Sequence, residues 1–283
     1  MAQIIDGKTI AKQVRSEVKQ RAKAFFAAHG RKPGLAVILV GNDPASCIYV
    51  NNKQKACEKS EINAETIRMD ETAQTSELLM LIDRLNAEKS IDGILVQLPL
   101  PKHIDSEAVI NRILPEKDVD GFHPLNAGRL FEKQALLEPC TPKGCMELLK
   151  RSNVNIGGSN AVVVGRSNLV GKPLAMMLLR ENATVTLCHS RTSGLKRHLS
   201  QADIVVAAVG KPNLITGDML KPGAVVLDVG INRLENGSIT GDVDFESASE
   251  VASQITPVPG GVGPMTIAML LENTLLAAEA KYE

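Results

Sequence analysis

Two stretches of this chain alternate short β-branched runs with longer amphipathic segments, and that alternation leaves few folds open. The first series contains Leu35–Val40, Ala64–Met69 and Gly93–Leu98, and the second contains Ala161–Val164, Thr184–Cys188, Ile204–Val209 and Val225–Val229. Consecutive parallel strands need a crossover long enough to hold a helix, so each series predicts βαβ units on a mostly parallel sheet. The runs of the second series lack polar alternation, as expected of strands covered on both faces. Ahead of the first series, Gly7–His29 places Ile10, Val14, Val18, Ala22 and Phe25 or Phe26 near the helical period, and Gly30 with Pro33 ends it. The tail from Met265 to Tyr282 is again helical in pattern.

With 283 residues the chain has room for two domains, each with its own apolar core. The proline-rich stretch Leu114–Pro142 reads as the join between them and the floor of a cleft. Lys plus Arg and Asp plus Glu balance at 32 each, so no long-range field draws the protein to nucleic acid or an anionic membrane. Aromatics are 2% of residues and tryptophan is absent, which argues against a base-stacking platform. Five scattered cysteines, without a CxxC pair or histidines at zinc spacing, read as reduced thiols of a cytoplasmic protein with no metal site. Met1–Lys12 mixes charges with short apolar pairs and lacks the order of a signal peptide, and no apolar run approaches membrane-spanning length.

The second series carries the marks of a nucleotide site. The run ending at Val164 enters Gly165-Arg166-Ser167-Asn-Leu-Val-Gly171, and a helix-like segment follows. Strand, glycine turn and helix aim backbone N–H groups and the helix dipole at a phosphate. The turn departs from GxGxxG, with Ser167 at the second glycine and Gly171 one residue late, so alone it describes a tight βα turn equally well. The next run ends in Cys188-His-Ser190-Arg191-Thr192, hydroxyls and a cation where a carboxylate would select a free 2′-hydroxyl. With Arg166, this cluster suits the 2′-phosphate of NADP. Ile231, after the run Val225–Val229, stands where a side chain can press on the nicotinamide or its ribose.

In the first series, Tyr49 and Lys53 are spaced i, i+4 in a segment of helical pattern, and Gln97 is a polar residue closing an apolar run before Pro99-Leu-Pro101. Asp118-Val-Asp120-Gly-Phe-His123 is a turn with two acids. Taken together, Tyr49-Val-Asn-Asn-Lys53, Gly93-Ile-Leu-Val-Gln-Leu-Pro-Leu-Pro101, Lys117-Asp-Val-Asp-Gly-Phe122, the two halves of the glycine turn and Pro257–Thr266 resemble the bifunctional methylenetetrahydrofolate dehydrogenase/methenyltetrahydrofolate cyclohydrolase family.

The resemblance implies an α/β protein of two α/β domains with folate in the cleft between them. Residues 1–140, joined by the final helix 266–283, would form a folate-binding catalytic domain, and residues 141–265 a Rossmann-type NADP-binding domain. It implies a homodimer, oxidation of methylenetetrahydrofolate by NADP and hydrolysis of the methenyl product to 10-formyltetrahydrofolate. By the same resemblance Lys53 is the catalytic lysine and Gln97 its partner. Tyr49 stacks on the folate and Asp120 accepts hydrogen bonds from the pterin. Gly165, Arg166, Ser167, Ser190, Arg191 and Ile231 contact the cofactor. Two other readings remain at this point: a dehydrogenase of a small hydroxy or amino acid, and a non-catalytic binding protein on the same scaffold.

Overall fold

The structure is a computed structural model that describes residues 1–282. In chain order its elements are β1 (Gln3–Ile4), α1 (Gly7–His29), β2 (Gly34–Val40), α2 (Pro44–Lys59), β3 (Asn63–Met69), α3 (Thr75–Ala87), β4 (Gly93–Val96), α4 (Ser106–Arg112), α5 (Pro124–Phe131), α6 (Cys140–Arg151), β5 (Asn160–Val164), α7 (Gly171–Arg180), β6 (Thr184–Cys188), α8 (Leu195–Leu199), β7 (Ile204–Ala207), β8 (Val225–Asp228), β9 (Asn232–Arg233), β10 (Ile239–Thr240), α9 (Phe245–Val251), β11 (Gln254–Ile255) and α10 (Val262–Glu279). They fall into two compact units, one of Met1–Lys12 with Thr141–Thr266 and one of Gln13–Cys140 with Ile267–Glu283. Residues 1–12, expected with the rest of 1–140, thus group with the other unit. The reason is that β1 pairs with β11.

The unit containing Gln13–Cys140 is built on a three-stranded parallel sheet in the order β3-β2-β4. Central β2 is buried along its whole length, whereas edge strand β3 alternates toward solvent. Ala36, Ile38 and Val40 of β2 and Ile94 and Val96 of β4 pack with Leu78, Ile82 and Leu85 of α3 and Val109 of α4 into one apolar core. Val14, Val18, Ala22 and Phe25 of α1 are buried as its period requires, and Phe26 is exposed. The proline-rich stretch Leu114–Pro142 also holds α5, started by Pro124 at its first turn and by His123, whose Nδ1 accepts the Leu125 N–H at 3.0 Å.

Asp92, fully buried ahead of β4, gathers four donors: Arg31 twice at 2.7 and 2.9 Å, Lys281 at 2.6 Å and the Gly34 N–H at 2.8 Å. Burial raises its carboxyl, but the hydrogen bonds from Arg31 and Lys281 outweigh this and hold it below the usual carboxylate range. Asn273 on α10 donates to the carbonyls of Val119 and Glu138 at 2.9 and 2.8 Å.

The other unit has a six-stranded sheet, β6-β5-β7-β8-β11-β1, with every neighbour parallel. Strands β5, β7 and β8 are buried apart from Asn160, the first residue of β5, as their uninterrupted apolar sequence requires. From β5 the chain goes to β6 on one side and then crosses to β7 on the other. The ends of β5 and β7 therefore flank the point where strand order reverses, the place where open α/β sheets bind ligands.

Candidate active site

In the first unit, α2 begins at Asp43, whose carboxylate accepts the Ser46 N–H at 2.8 Å, and at Pro44 in its first turn. Its buried residues are Ser46, Val50, Lys53 and Cys57, a single stripe at helical spacing. A lysine on that stripe pays for desolvation unless its head is bound. Lys53, only 7% exposed, donates from Nζ to Gln97 Oε1 at 3.0 Å.

Gln97 is fixed from two sides: its backbone N–H donates to Ile38 O at 2.9 Å, extending the β2–β4 ladder, and its Nε2 donates to Leu98 O at 2.6 Å. Its Oε1 is thereby turned to the amine. One turn before Lys53, Tyr49 is 42% exposed and presents its ring to solvent.

Asp120 lies half-buried on a small cavity shared with Ile94, Val96, Leu98, Asp118 and Phe122. Burial pushes its carboxyl up, Lys53 pulls it down, and Asp118 pushes it up further. The turn carrying it is held by groups to which the sequence assigns no role. Buried Asp118 accepts from the His123 N–H at 2.8 Å and Asn126 Nδ2 at 2.9 Å. Buried Lys117 donates to the carbonyls of Leu85, Asn86 and Glu88 at 2.8–2.9 Å, closing the C-terminal end of α3. Gly121 has φ +74°, and a Cβ there would fall 2.5 Å from the Glu138 carbonyl carbon. Lys117 and Asp118 lie in the charged run Glu116-Lys-Asp-Val-Asp120, where nothing in the sequence separates a buried charge from a solvated one.

In the second unit a pocket of about 470 Å³ opens at the switch point. Its lining combines Val164, Gly165, Arg166 and Ser167 after β5, His189, Ser190 and Thr192 after β6, and Ala208, Val209 and Lys211 after β7. Gly165 has φ +123°, and a Cβ there would meet Ala208 O at 2.1 Å, so the two strand ends close on each other. Ser167 Oγ accepts the N–H groups of Val170 and Gly171 at 3.1 and 3.4 Å. That explains the departure from GxGxxG: the hydroxyl oxygen caps α7, leaving its O–H for a ligand oxygen.

Gly165, Arg166, Ser167 and Ser190 thus come together, and Lys211 joins them as a cation the sequence reading missed. Arg191 is exposed beside the pocket without lining it, its backbone N–H donating to His189 Nδ1 at 3.1 Å. Ile231, 52% exposed, also lies outside that lining. Glycines, hydroxyls and two cations around a strand-end pocket fit a dinucleotide carrying phosphates.

Below the pocket sit two buried carboxylates. Asp228 accepts the N–H groups of Gly230, Asp242 and Val243 at 2.9–3.0 Å, and burial pushes it up to about 6 against those bonds, with Asp242 adding to the rise. Among the described residues no cluster of three or more His, Cys, Asp or Glu could hold a metal ion, and no helix is long and apolar enough to cross a membrane.

Comparison with known proteins matches residues 5–120 to the catalytic domain of tetrahydrofolate dehydrogenase/cyclohydrolase, and residues 139–282 to the NAD(P)-binding domain of the same enzymes. The bifunctional methylenetetrahydrofolate dehydrogenase/cyclohydrolase of Campylobacter jejuni is 48% identical with a TM-score of 0.96, covering 99% of this chain and 100% of that one. The Trypanosoma brucei methylenetetrahydrofolate dehydrogenase-cyclohydrolase, solved with NADP cofactor and an inhibitor, is 39% identical with a TM-score of 0.96, over 100% and 99% of the two chains. The bifunctional enzyme of Thermoplasma acidophilum is 36% identical with a TM-score of 0.93, over 99% of each chain.

Proposed function

The chain belongs to the tetrahydrofolate dehydrogenase/cyclohydrolase family, and from that premise we propose that it oxidises methylenetetrahydrofolate with NADP and hydrolyses the methenyl product to 10-formyltetrahydrofolate. The observation that carries this reading is the buried contact of Lys53 Nζ with Gln97 Oε1, an amine held in an apolar stripe where a protein that only binds has no use for it.

NADP, when bound, accepts the hydride from the methylene carbon. For that step the chain supplies position, because the substrate's own nitrogens stabilise the resulting cation. Tyr49 offers an exposed ring for stacking, and Asp120 offers a carboxylate to the pterin N–H groups. For the hydrolysis, Lys53 Nζ gives one N–H to Gln97 and turns its lone pair toward the attacking water; it takes one proton from that water and returns it to the departing nitrogen, while the carbinol O–H left on the carbon releases its proton to solvent as the formyl C=O forms. Gln97 fixes the direction of that lone pair. Arg166, Ser167 and Ser190 hold the phosphates of the cofactor from the switch-point pocket. Arg191 swings in from its rim, and Ile231 borders the nicotinamide end.

A homodimer working in the cytoplasm completes the reading, supported by the family resemblance and by the balanced charge and the scattered cysteines of the sequence. The test is a spectrophotometric assay of the purified protein with methylenetetrahydrofolate and either NADP or NAD. Reduction of NADP with rapid decay of the methenyl species is expected. Methenyl accumulation would remove the hydrolytic half, and no reduction with either cofactor would leave a binding protein.

A further inference from the structure

We infer that Asp242 is a positioning residue for the cofactor: its buried carboxylate fixes the turn Val209–Lys211 that forms the β7 side of the switch-point pocket. The inference rests on the reading of that pocket as the NADP site. Asp242 is fully buried, and its two oxygens take four donors. Oδ2 accepts the N–H groups of Val209 at 2.6 Å and Gly210 at 3.0 Å, and Oδ1 accepts the Lys211 N–H at 2.9 Å and Asn232 Nδ2 at 2.9 Å.

Three consecutive backbone N–H groups converging on one point make an anion-binding nest, and here the anion is built in. The turn follows β7 directly, has Gly210 at φ +66°, and places Val209 and Lys211 on the pocket wall. Through Asn232 the same carboxylate reaches the residue next to Ile231. Asp242 is itself immobilised, since its own N–H and that of Val243 donate to Asp228, whose N–H donates to Thr256 Oγ1 at 2.8 Å. A Cβ at Gly230 would lie 2.4 Å from Asp242 Cγ, so the carboxylate has no second place to go. Asp242 touches no ligand on this reading; it acts through the turn.

Asp242→Asn keeps the shape but has one oxygen for four donors, so two of them lose their acceptor and face an NH2 group. The experiment measures the NADP KM and kcat of Asp242→Asn, Asn232→Ala and Arg166→Ala, with unfolding midpoints taken with and without NADP. Asp242→Asn is expected to raise the NADP KM about tenfold, with kcat at saturating cofactor within about threefold, and to shrink the NADP-induced rise in midpoint. Asn232→Ala removes one donor of the four and should raise KM about threefold, which decides the matter if Asp242→Asn does not fold. A lowered midpoint with NADP KM unchanged in both variants overturns the inference, provided Arg166→Ala still raises it. If Arg166→Ala also leaves KM unchanged, the pocket reading itself fails.

Discussion

Replacing Lys53 by Met should separate the two reactions. Met keeps most of the aliphatic length that fills the buried stripe with Val50 and Cys57, and removes only the amine. What the fold loses is the donor to Gln97 Oε1 at 3.0 Å. Because Gln97 is half-buried, water can replace that donor, and the cost stays near the low end for an unpaired acceptor, about 1 kcal/mol. That corresponds to a fall in unfolding midpoint of roughly 2–4 °C, so the variant remains folded. The hydrolytic step loses its proton carrier, a loss on the order of 10²-fold or more, or at least about 2.7 kcal/mol of barrier. Hydride transfer depends on positioning and should stay within about tenfold. The assay feeds the methenyl compound directly and follows its decay, then feeds methylenetetrahydrofolate with NADP and follows NADPH and methenyl together. Methenyl should accumulate in the variant. Unimpaired hydrolysis would remove Lys53 from the chemistry, and equal losses in both reactions would make it a binding residue.

The cofactor cations give a second measurement: Arg166→Ala and Arg191→Ala should each raise the NADP KM more than the NAD KM, and equal effects on both would refute 2′-phosphate recognition. Asp92→Ala strands Arg31 and Lys281, whose side chains are 25% and 30% exposed and regain some water, so a loss of about 3 kcal/mol is expected. Since the fold lowers the Asp92 carboxyl, its contribution is present above about pH 4, the unfolded value, and disappears as pH falls through the folded value. The gap in denaturation midpoint between wild type and variant should therefore be flat at neutral pH and close in acid. A gap that widened in acid would contradict the ion-pair account.

Most of the architecture was legible because β-branched runs such as Val162–Val164 and Ile204–Ala207 cannot be mistaken for helix surface, and the helical intervals between them force parallel pairing. Strands β1 and β11 were not legible. Each is two residues long, a pairing decided by tertiary contact and too short to show a period. Gln97 stood out as an amide closing an apolar strand, whereas the i, i+4 spacing of Tyr49 and Lys53 fits an ordinary half-exposed helix equally well, so that Lys53 was marked only by the family resemblance and its burial became visible only in the fold. Asp242 had no such signal, since its partners at 209–211 lie some thirty residues away and contribute only backbone. Lys211 was overlooked for a similar reason: nothing near it in the chain marks its turn as the wall of a pocket. Arg191 and Ile231 lie in the expected segments, but segment position does not fix where a side chain points.

Each unit is stitched from stretches far apart in the chain, residues 1–12 with 141–266 and 13–140 with those from 267 onward, and this sets a timetable for synthesis. Gln3 meets its partner Gln254 only after some 250 further residues have been made, roughly 12–50 s at ribosomal speeds of about 5–20 residues per second. The carbonyls of Val119 and Glu138 wait in the same way for Asn273. A nascent chain of this design carries its β-branched runs unfinished for most of its time on the ribosome: the six-stranded sheet cannot be completed until β11 has been made, and the other unit, whose first residues are made far earlier, waits longer still for the helix that begins at Val262.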